Sequence, residues 1–66
     1  MRVGLVGAGR IGVFHGRTLA DHAEVTEIVV TDPLVDRALA VAADIGGRVV
    51  SDTEAMIGDI DAMVIA

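Results

Sequence analysis

The strongest constraint on this chain of 66 residues is a regular alternation of short apolar runs with amphipathic stretches. Four apolar runs have the length and β-branched content typical of buried strands: Arg2–Val6, Val25–Thr31, Val49–Val50 and Ala62–Ala66. Apolar residues at three- and four-residue spacing predict helices between them: Gly9 to about His22, Leu34–Ile45 and Thr53–Ile57. Strands that alternate with helices in this way predict an α/β fold with a parallel sheet.

Right-handed crossovers determine the order of these strands. The first two helices then cover one face and the fourth strand returns beside the first, in the order 3-2-1-4, which is the first half of a doubly wound sheet. A parallel sheet is normally covered on both faces, and here only the short helix Thr53–Ile57 is available for the second face. We therefore expect residues 1–66 to be a fragment of a longer protein.

The ends of the helices carry their own signals. Gly46-Gly47 predicts a left-handed stop for the second helix. Ser51 begins an S-x-x-E capping box and is interpreted as the cap of the third helix. Asp59 and Asp61 flank a turn and are interpreted as solvated charges.

The sequence G-A-G-R-I-G, which begins at Gly7, lies between the first strand and the first helix. Gly7 permits a sharp turn, Gly9 permits the backbone to approach a pyrophosphate, and Gly12 lets the helix lie close to the sheet. Free N–H groups around Arg10 and Ile11, together with the helix dipole, suit a phosphate. Alone the pattern is a weak signal, because glycine-rich turns also occur for packing reasons.

Asp32 strengthens that interpretation, because it ends the second predicted strand 20 residues after Gly12. This is the spacing of a carboxylate that binds the ribose of a dinucleotide. A carboxylate repels the 2′-phosphate of NADP, and no cation occurs from Pro33 to Val35, so the sequence favours NAD. The alternative role of Asp32 is a helix N-cap, and the two roles can coexist.

Two arginines have open assignments. Arg37 lies near the adenine or the ribose, or is an exposed helix residue, and Arg10 contacts the cofactor or points to solvent. His15 and His22 are too far apart for a metal pair at i and i+4, and no metal site is expected.

Composition excludes several classes of function. The chain has five Lys and Arg residues in total against ten Asp and Glu, a net charge of −5, and so lacks the basic face that nucleic acids need. Its apolar runs are far shorter than the roughly 20 residues of a membrane helix. It contains no cysteine, which excludes disulfides and thiol nucleophiles. We expect a cytoplasmic protein.

Other ligands of glycine-rich loops remain as alternatives. S-adenosylmethionine enzymes usually have G-x-G-x-G, and here Ile11 occupies the position of the third glycine. Flavoproteins use the same fingerprint for FAD, typically with Glu in place of Asp32. A non-catalytic module that binds or senses NAD would also have these features.

The chain resembles the glucose–fructose oxidoreductase/inositol dehydrogenase family (Gfo/Idh/MocA) over its whole length. The resemblance lies in GAGRIG followed by His15, in Asp32-Pro33 with Arg37, and in Ser51-Asp52 leading to Asp61-Ala62. It implies a Rossmann domain that binds NAD or NADP, in an oxidoreductase that transfers a hydride between the cofactor and a secondary alcohol of a sugar or cyclitol. It also implies a second domain that holds the polyol substrate and forms a homo-oligomer.

The resemblance also implies a set of cofactor-binding residues: Gly7, Gly9, Arg10, Ile11, Gly12, Asp32, Arg37 and Ala66. The family's catalytic lysine and its histidine acid/base fall beyond Ala66, and residues 1–66 contain no lysine at all. No catalytic residue is therefore expected here. The expectation is a partial NAD-binding Rossmann domain at residues 1–66, with the catalytic and substrate domain outside them.

Overall fold

A parallel sheet of four strands forms the centre of the structure, a computed structural model that describes all of residues 1–66. The strands are β1 (Arg2–Val6), β2 (Glu27–Thr31), β3 (Arg48–Val49) and β4 (Ala62–Ile65). The helices are α1 (Arg10–Ala20), α2 (Val35–Ile45) and α3 (Thr53–Ile57). The strand order is β3-β2-β1-β4, so the predicted fold class and order are confirmed.

The predicted boundaries differ from the observed ones by one or two residues. β2 begins at Glu27 instead of Val25, because the Val25 N–H bonds within the preceding turn, to the carbonyl of His22, and the first pair with β1 is Arg2 with Glu27. β3 comprises Arg48 and Val49, one residue earlier than predicted, in register with Val29 and Val30.

The main core lies between the sheet and the pair of helices α1 and α2. Leu5 is fully buried on the central strand and stands in register with Val30 of β2 and Val64 of β4. Small side chains of α2, chiefly Ala38 and Ala42, pack against this row. Because these side chains are short, the helix lies close to the sheet.

The opposite face of the sheet is covered only in its middle. Met56 of α3 is fully buried, and its Sδ atom would lie 2.6 Å from a Cβ placed on Gly4, so α3 packs directly on β1. Val29 of β2, which is in register with Gly4, is also fully buried. Ile65, at the end of β4, stays 76% exposed on this face.

The helix ends agree with the predictions in one case and not in the other. Gly46 has φ +72° and ends α2 in the left-handed conformation, as predicted. The predicted cap of α3 is wrong, because Asp52, and not Ser51, occupies the N-cap and accepts the N–H of Ala55 at 2.8 Å. The helix starts at Thr53, so the side chain at position 52, and not that at position 51, is placed to reach the amide in the first turn.

Asp59 and Asp61 are exposed to solvent, as interpreted, but each also has a partner in the chain that the sequence did not predict. Asp61 Oδ2 accepts the backbone N–H of Arg2 at 2.7 Å, and Asp59 lies 3.3 Å from a guanidinium nitrogen of Arg48. Arg48 also contacts Glu27 at 3.1 Å, and the bonds to Asp59 and Glu27 raise the pKa of its guanidinium. These pairs join the amino ends of neighbouring strands, and their members are distant in sequence.

No helix has both the length and the apolar character that are needed to cross a membrane.

The contact between α1 and the turn after β1 should be the least tolerant in the fold. A Cβ on Gly12 would collide with the backbone carbonyl of Gly7, and a backbone atom in a turn cannot yield as a flexible side chain does. Gly12→Ala should therefore lower the free energy of unfolding by about 1–3 kcal/mol. Gly58→Ala is the control, because nothing lies within 4 Å of its Cβ position. Urea denaturation of both variants checks this, and equal midpoints would contradict it.

Candidate functional site

The chain turns sharply where β1 ends, at the carboxyl edge of the sheet. Gly7 has φ +106°, a conformation that residues with a side chain rarely adopt, and its N–H donates to the carbonyl of Thr31 at 2.9 Å. Two residues later Gly9 forms the N-cap of α1 without any side-chain hydrogen bond. The turn therefore brings the amino end of α1 to the carboxyl edge of β1 and β2.

The amino end of α1 has unused hydrogen-bond donors. The backbone N–H groups of Gly9, Arg10, Ile11 and Gly12 donate to no other group of the chain, and the first bond of the helix is from Val13 N–H to Gly9 O at 2.9 Å. No acidic residue occurs in the first turn. Free donors and the positive end of the helix dipole together favour an anion at this position.

The surface above Gly9 is open, in contrast to that at Gly12. A Cβ built on Gly9 would have only one neighbour within 4 Å, the Nη1 atom of Arg37 at 3.7 Å. The fold itself therefore does not require glycine at position 9. A glycine there leaves room for an external group to approach the free N–H groups, and the residues present fit a diphosphate.

Asp32 lies beside the same turn and bridges two loops. Its Oδ2 accepts the N–H of Ala8 at 2.7 Å, and its Oδ1 accepts the N–H of Leu34 at 2.8 Å. The bond from Ala8 and, after it, the bond from Leu34 lower the pKa of the Asp32 carboxyl; burial opposes them with a smaller effect, and the positive charge of Arg37 adds the smallest lowering. The carboxylate is therefore ionised at neutral pH.

The alternative role of Asp32 as a helix N-cap is wrong. The N-cap of α2 is Leu34, in an extended conformation and without a side-chain bond. Pro33 has no N–H, so the first amide that Asp32 can reach beyond itself is that of Leu34, and the bond closes a turn that precedes the helix.

The structure brings the remaining predicted residues to this edge as well. Arg37 lies next to Gly9, because its Nη1 atom is 3.7 Å from the Cβ position of Gly9, and it forms no ion pair with a carboxylate. Ala66 lies against the turn, with its carbonyl oxygen 3.1 Å from the Cβ position of Gly7 and its N–H bonded to Val6 O. Arg10 and Ile11 are exposed in the first turn of α1.

A cleft that the sequence did not predict adjoins Asp32. It measures about 290 Å³ and is bounded by the ends of β1 and β2 and by the loop after β3: Val6, Thr31, Asp32, Pro33, Ser51, Asp52 and Thr53. Adjacent parallel strands end at the same edge, and this was the available signal that residues 51–53 lie near Asp32. A larger depression of about 480 Å³ lies on the outer face of α1, away from Asp32.

The lowered pKa of Asp32 makes its contribution to stability depend on pH. A carboxyl whose pKa is lower in the folded state stabilises above its unfolded pKa, near 3.9, and this contribution is lost as pH falls through the folded value. The difference in unfolding free energy between wild type and Asp32→Ala should be constant near neutrality and shrink below about pH 4.

Urea denaturation at a series of pH values measures this difference. Asp61→Ala is a matched comparison, because the Arg2 N–H lowers the pKa of Asp61 in the same way and its difference should follow the same course. If the difference in unfolding free energy between wild type and Asp32→Ala does not change with pH, the pKa of Asp32 is not lowered in the folded state.

Comparison with known proteins adds independent information. Residues 1–66 match the model of the family GFO_IDH_MocA, described as an oxidoreductase family with an NAD-binding Rossmann fold. Inositol 2-dehydrogenase 3 from Saccharopolyspora erythraea is 41% identical over 68 residues, which cover 98% of this chain and 20% of that protein.

Solved structures give the same result. One solved structure, from Sinorhizobium meliloti 1021, is described as a myo-inositol dehydrogenase. It superimposes with a TM-score of 0.90 at 37% identity, over 100% of this chain and 20% of the other. UDP-N-acetylglucosamine 3-dehydrogenase from Acidithiobacillus ferrooxidans has a TM-score of 0.85 at 32% identity, over 100% of this chain and 21% of the other. The chain therefore spans about a fifth of the length of these relatives.

Proposed function

The chain belongs to the GFO_IDH_MocA family of oxidoreductases, and we propose that it holds the NAD of a dehydrogenase that acts on a secondary alcohol of a sugar or cyclitol. One observation carries the proposal. Four unused N–H groups at the start of α1 lie next to an ionised carboxylate that is hydrogen-bonded to the same loop. A ligand with a diphosphate joined to a ribose needs this combination.

Each part of the site has a distinct task in this proposal. The N–H groups of the loop from Gly9 to Gly12 bind the diphosphate, and Gly7 supplies the turn that aims them. Asp32 accepts hydrogen bonds from the ribose hydroxyls through the lone pairs that Ala8 and Leu34 leave free. Arg10 and Arg37 add positive charge at the edge of the site, and Ala66 forms the wall beyond Gly7.

The same arrangement favours NAD over NADP. Two backbone N–H groups hold the carboxylate of Asp32 in place and lower its pKa, so a fixed negative charge faces the position of a 2′-phosphate. Arg37 is the one cation of α2. It is exposed, and it makes no ion pair that would fix its guanidinium near Asp32. The carboxylate, which two hydrogen bonds fix, therefore outweighs the exposed guanidinium.

The substrate class is inferred from the relatives. Two of them are described as inositol dehydrogenases and one as a dehydrogenase of a UDP-linked sugar. Bound NAD would supply the hydride acceptor for the oxidation of an alcohol carbon. Residues 1–66 contain no lysine, and in this proposal the group that takes the hydroxyl proton and the domain that binds the polyol lie outside them.

Gly9→Val tests the diphosphate site. The valine side chain would occupy the open surface in front of the free N–H groups, and NAD affinity should fall by about 100-fold, equivalent to about 2.7 kcal/mol. The fold should persist, because only the flexible end of Arg37 approaches this Cβ position. Titration calorimetry with NAD measures the effect, and Gly58→Val, which also points into open space, is the control. Unchanged affinity in a folded Gly9→Val protein would refute the site.

Asp32→Ala tests the choice between NAD and NADP. Loss of charge-assisted bonds to the ribose should weaken NAD by about 1.5–3 kcal/mol, whereas NADP also loses a repulsion. The preference for NAD, which is the dissociation constant of NADP divided by that of NAD, should therefore fall by about tenfold. Calorimetry with each cofactor measures it. Asp61→Ala, at the opposite end of β1, should leave the ratio as in wild type. If Asp32→Ala has the same ratio of dissociation constants as wild type, this charge does not select the cofactor.

A further inference from the structure

The bond between Asp32 and Ala8 joins the two halves of the proposed site. It is 2.7 Å long and partly buried, and it links residues 24 apart in sequence. Ala8 is only 4% exposed and lies between the two glycines of the turn. Without Asp32 its N–H would be a buried donor that has no other partner in the chain.

This bond is also the last anchor before the free donors. Gly7 N–H is held by Thr31 O, and Ala8 N–H is held by Asp32. The following four N–H groups, from Gly9 to Gly12, bond to nothing in the chain. The direction in which they point follows the placement of the start of α1, which depends on these anchors and on the contact of Gly12 with Gly7.

The carboxylate is suited to serve as such an anchor. Its other oxygen is held by the N–H of Leu34 at 2.8 Å, so both oxygens have fixed positions. A carboxylate oxygen can accept two hydrogen bonds, and one amide on each leaves a lone pair free on each. Asp32 can therefore hold the loop and bind a ribose at the same time.

We propose that Asp32 is a positioning residue for the diphosphate, which it affects through the Ala8 N–H, in addition to being a ligand of the ribose. This inference rests on the proposed function. It states that loss of Asp32 weakens binding even of a ligand that has no ribose hydroxyls.

A cycle of two ligands and two proteins separates the roles. ADP and 2′,3′-dideoxy-ADP carry the same diphosphate and adenine, and only the first has hydroxyls that Asp32 could bind. Asp32→Ala should weaken ADP most, and it should still weaken dideoxy-ADP by about three- to tenfold, because only part of the roughly 1.5–3 kcal/mol of a hydrogen bond to a charged group is passed on to the ligand. If Asp32→Ala and wild type bind dideoxy-ADP equally, the carboxylate acts on the ribose alone and the inference is wrong.

Asp61→Ala is the matched control in this cycle. It removes a carboxylate–amide bond of the same 2.7 Å length, to Arg2 N–H at the other end of β1, and should change the affinity for neither ligand. A loss equal to that of Asp32→Ala would mean that general destabilisation, and not the loop, is responsible, and would overturn the inference.

Two further measurements complete the test in the purified protein. The NMR resonance of the Ala8 amide should shift with pH as Asp32 titrates, and its hydrogen exchange should be faster in Asp32→Ala; an Ala8 amide that responds to neither refutes the anchor.

Asp32→Asn serves if the alanine variant does not fold. Its one acceptor oxygen carries no charge and replaces two charged ones, so any bond that it keeps to Ala8 is weaker; it should also weaken dideoxy-ADP, and unchanged binding would overturn the inference. Failure of wild type to bind NAD or ADP would instead refute the proposed function itself.

Discussion

The turn at Gly7 and the close approach of Gly12 to it form the contact on which the rest of this structure depends. Because the helix backbone rests on the carbonyl of Gly7, α1 starts directly at the edge of the sheet. The start of α1 then has four N–H groups without a partner in the chain, close to Asp32 at the end of the neighbouring strand. Packing and ligand geometry thus have a common origin, and a change at Gly12 should disturb both.

The distribution of charge supports the same division of the molecule. At the amino ends of the strands, arginines are paired with carboxylates, as Arg2 is with Asp61 and Arg48 is with Glu27 and Asp59. At the carboxyl edge, neither Arg10 nor Arg37 is in an ion pair. A chain with a net charge of −5 therefore keeps two unpaired cations where an anionic cofactor would enter. The net negative charge of the chain repels an anionic cofactor, and these two cations offset that repulsion at the edge where the diphosphate is proposed to bind.

Much of the fold could be predicted from the sequence, because local rules govern it. The period of apolar residues identified the strands and helices, and the handedness of crossovers determined their order. The features that were not predicted have two physical causes. The cap at Asp52 depends on the residue at which α3 begins, and the bonds of Asp61 to Arg2 and of Asp32 to Ala8 join residues that only the sheet brings together.

The sequence by itself determined the class of fold, the glycine turn and the position of an acid at the end of β2, because each depends on spacing along the chain. Only the tertiary structure decided that Asp32 bonds to Ala8, that Arg37 approaches Gly9 and that Ala66 lies against Gly7. Parallel strands end together at one edge of the sheet, so residues far apart in sequence meet there. Their hydrogen bonds and distances depend on the register of the strands, which the spacing along one strand does not contain.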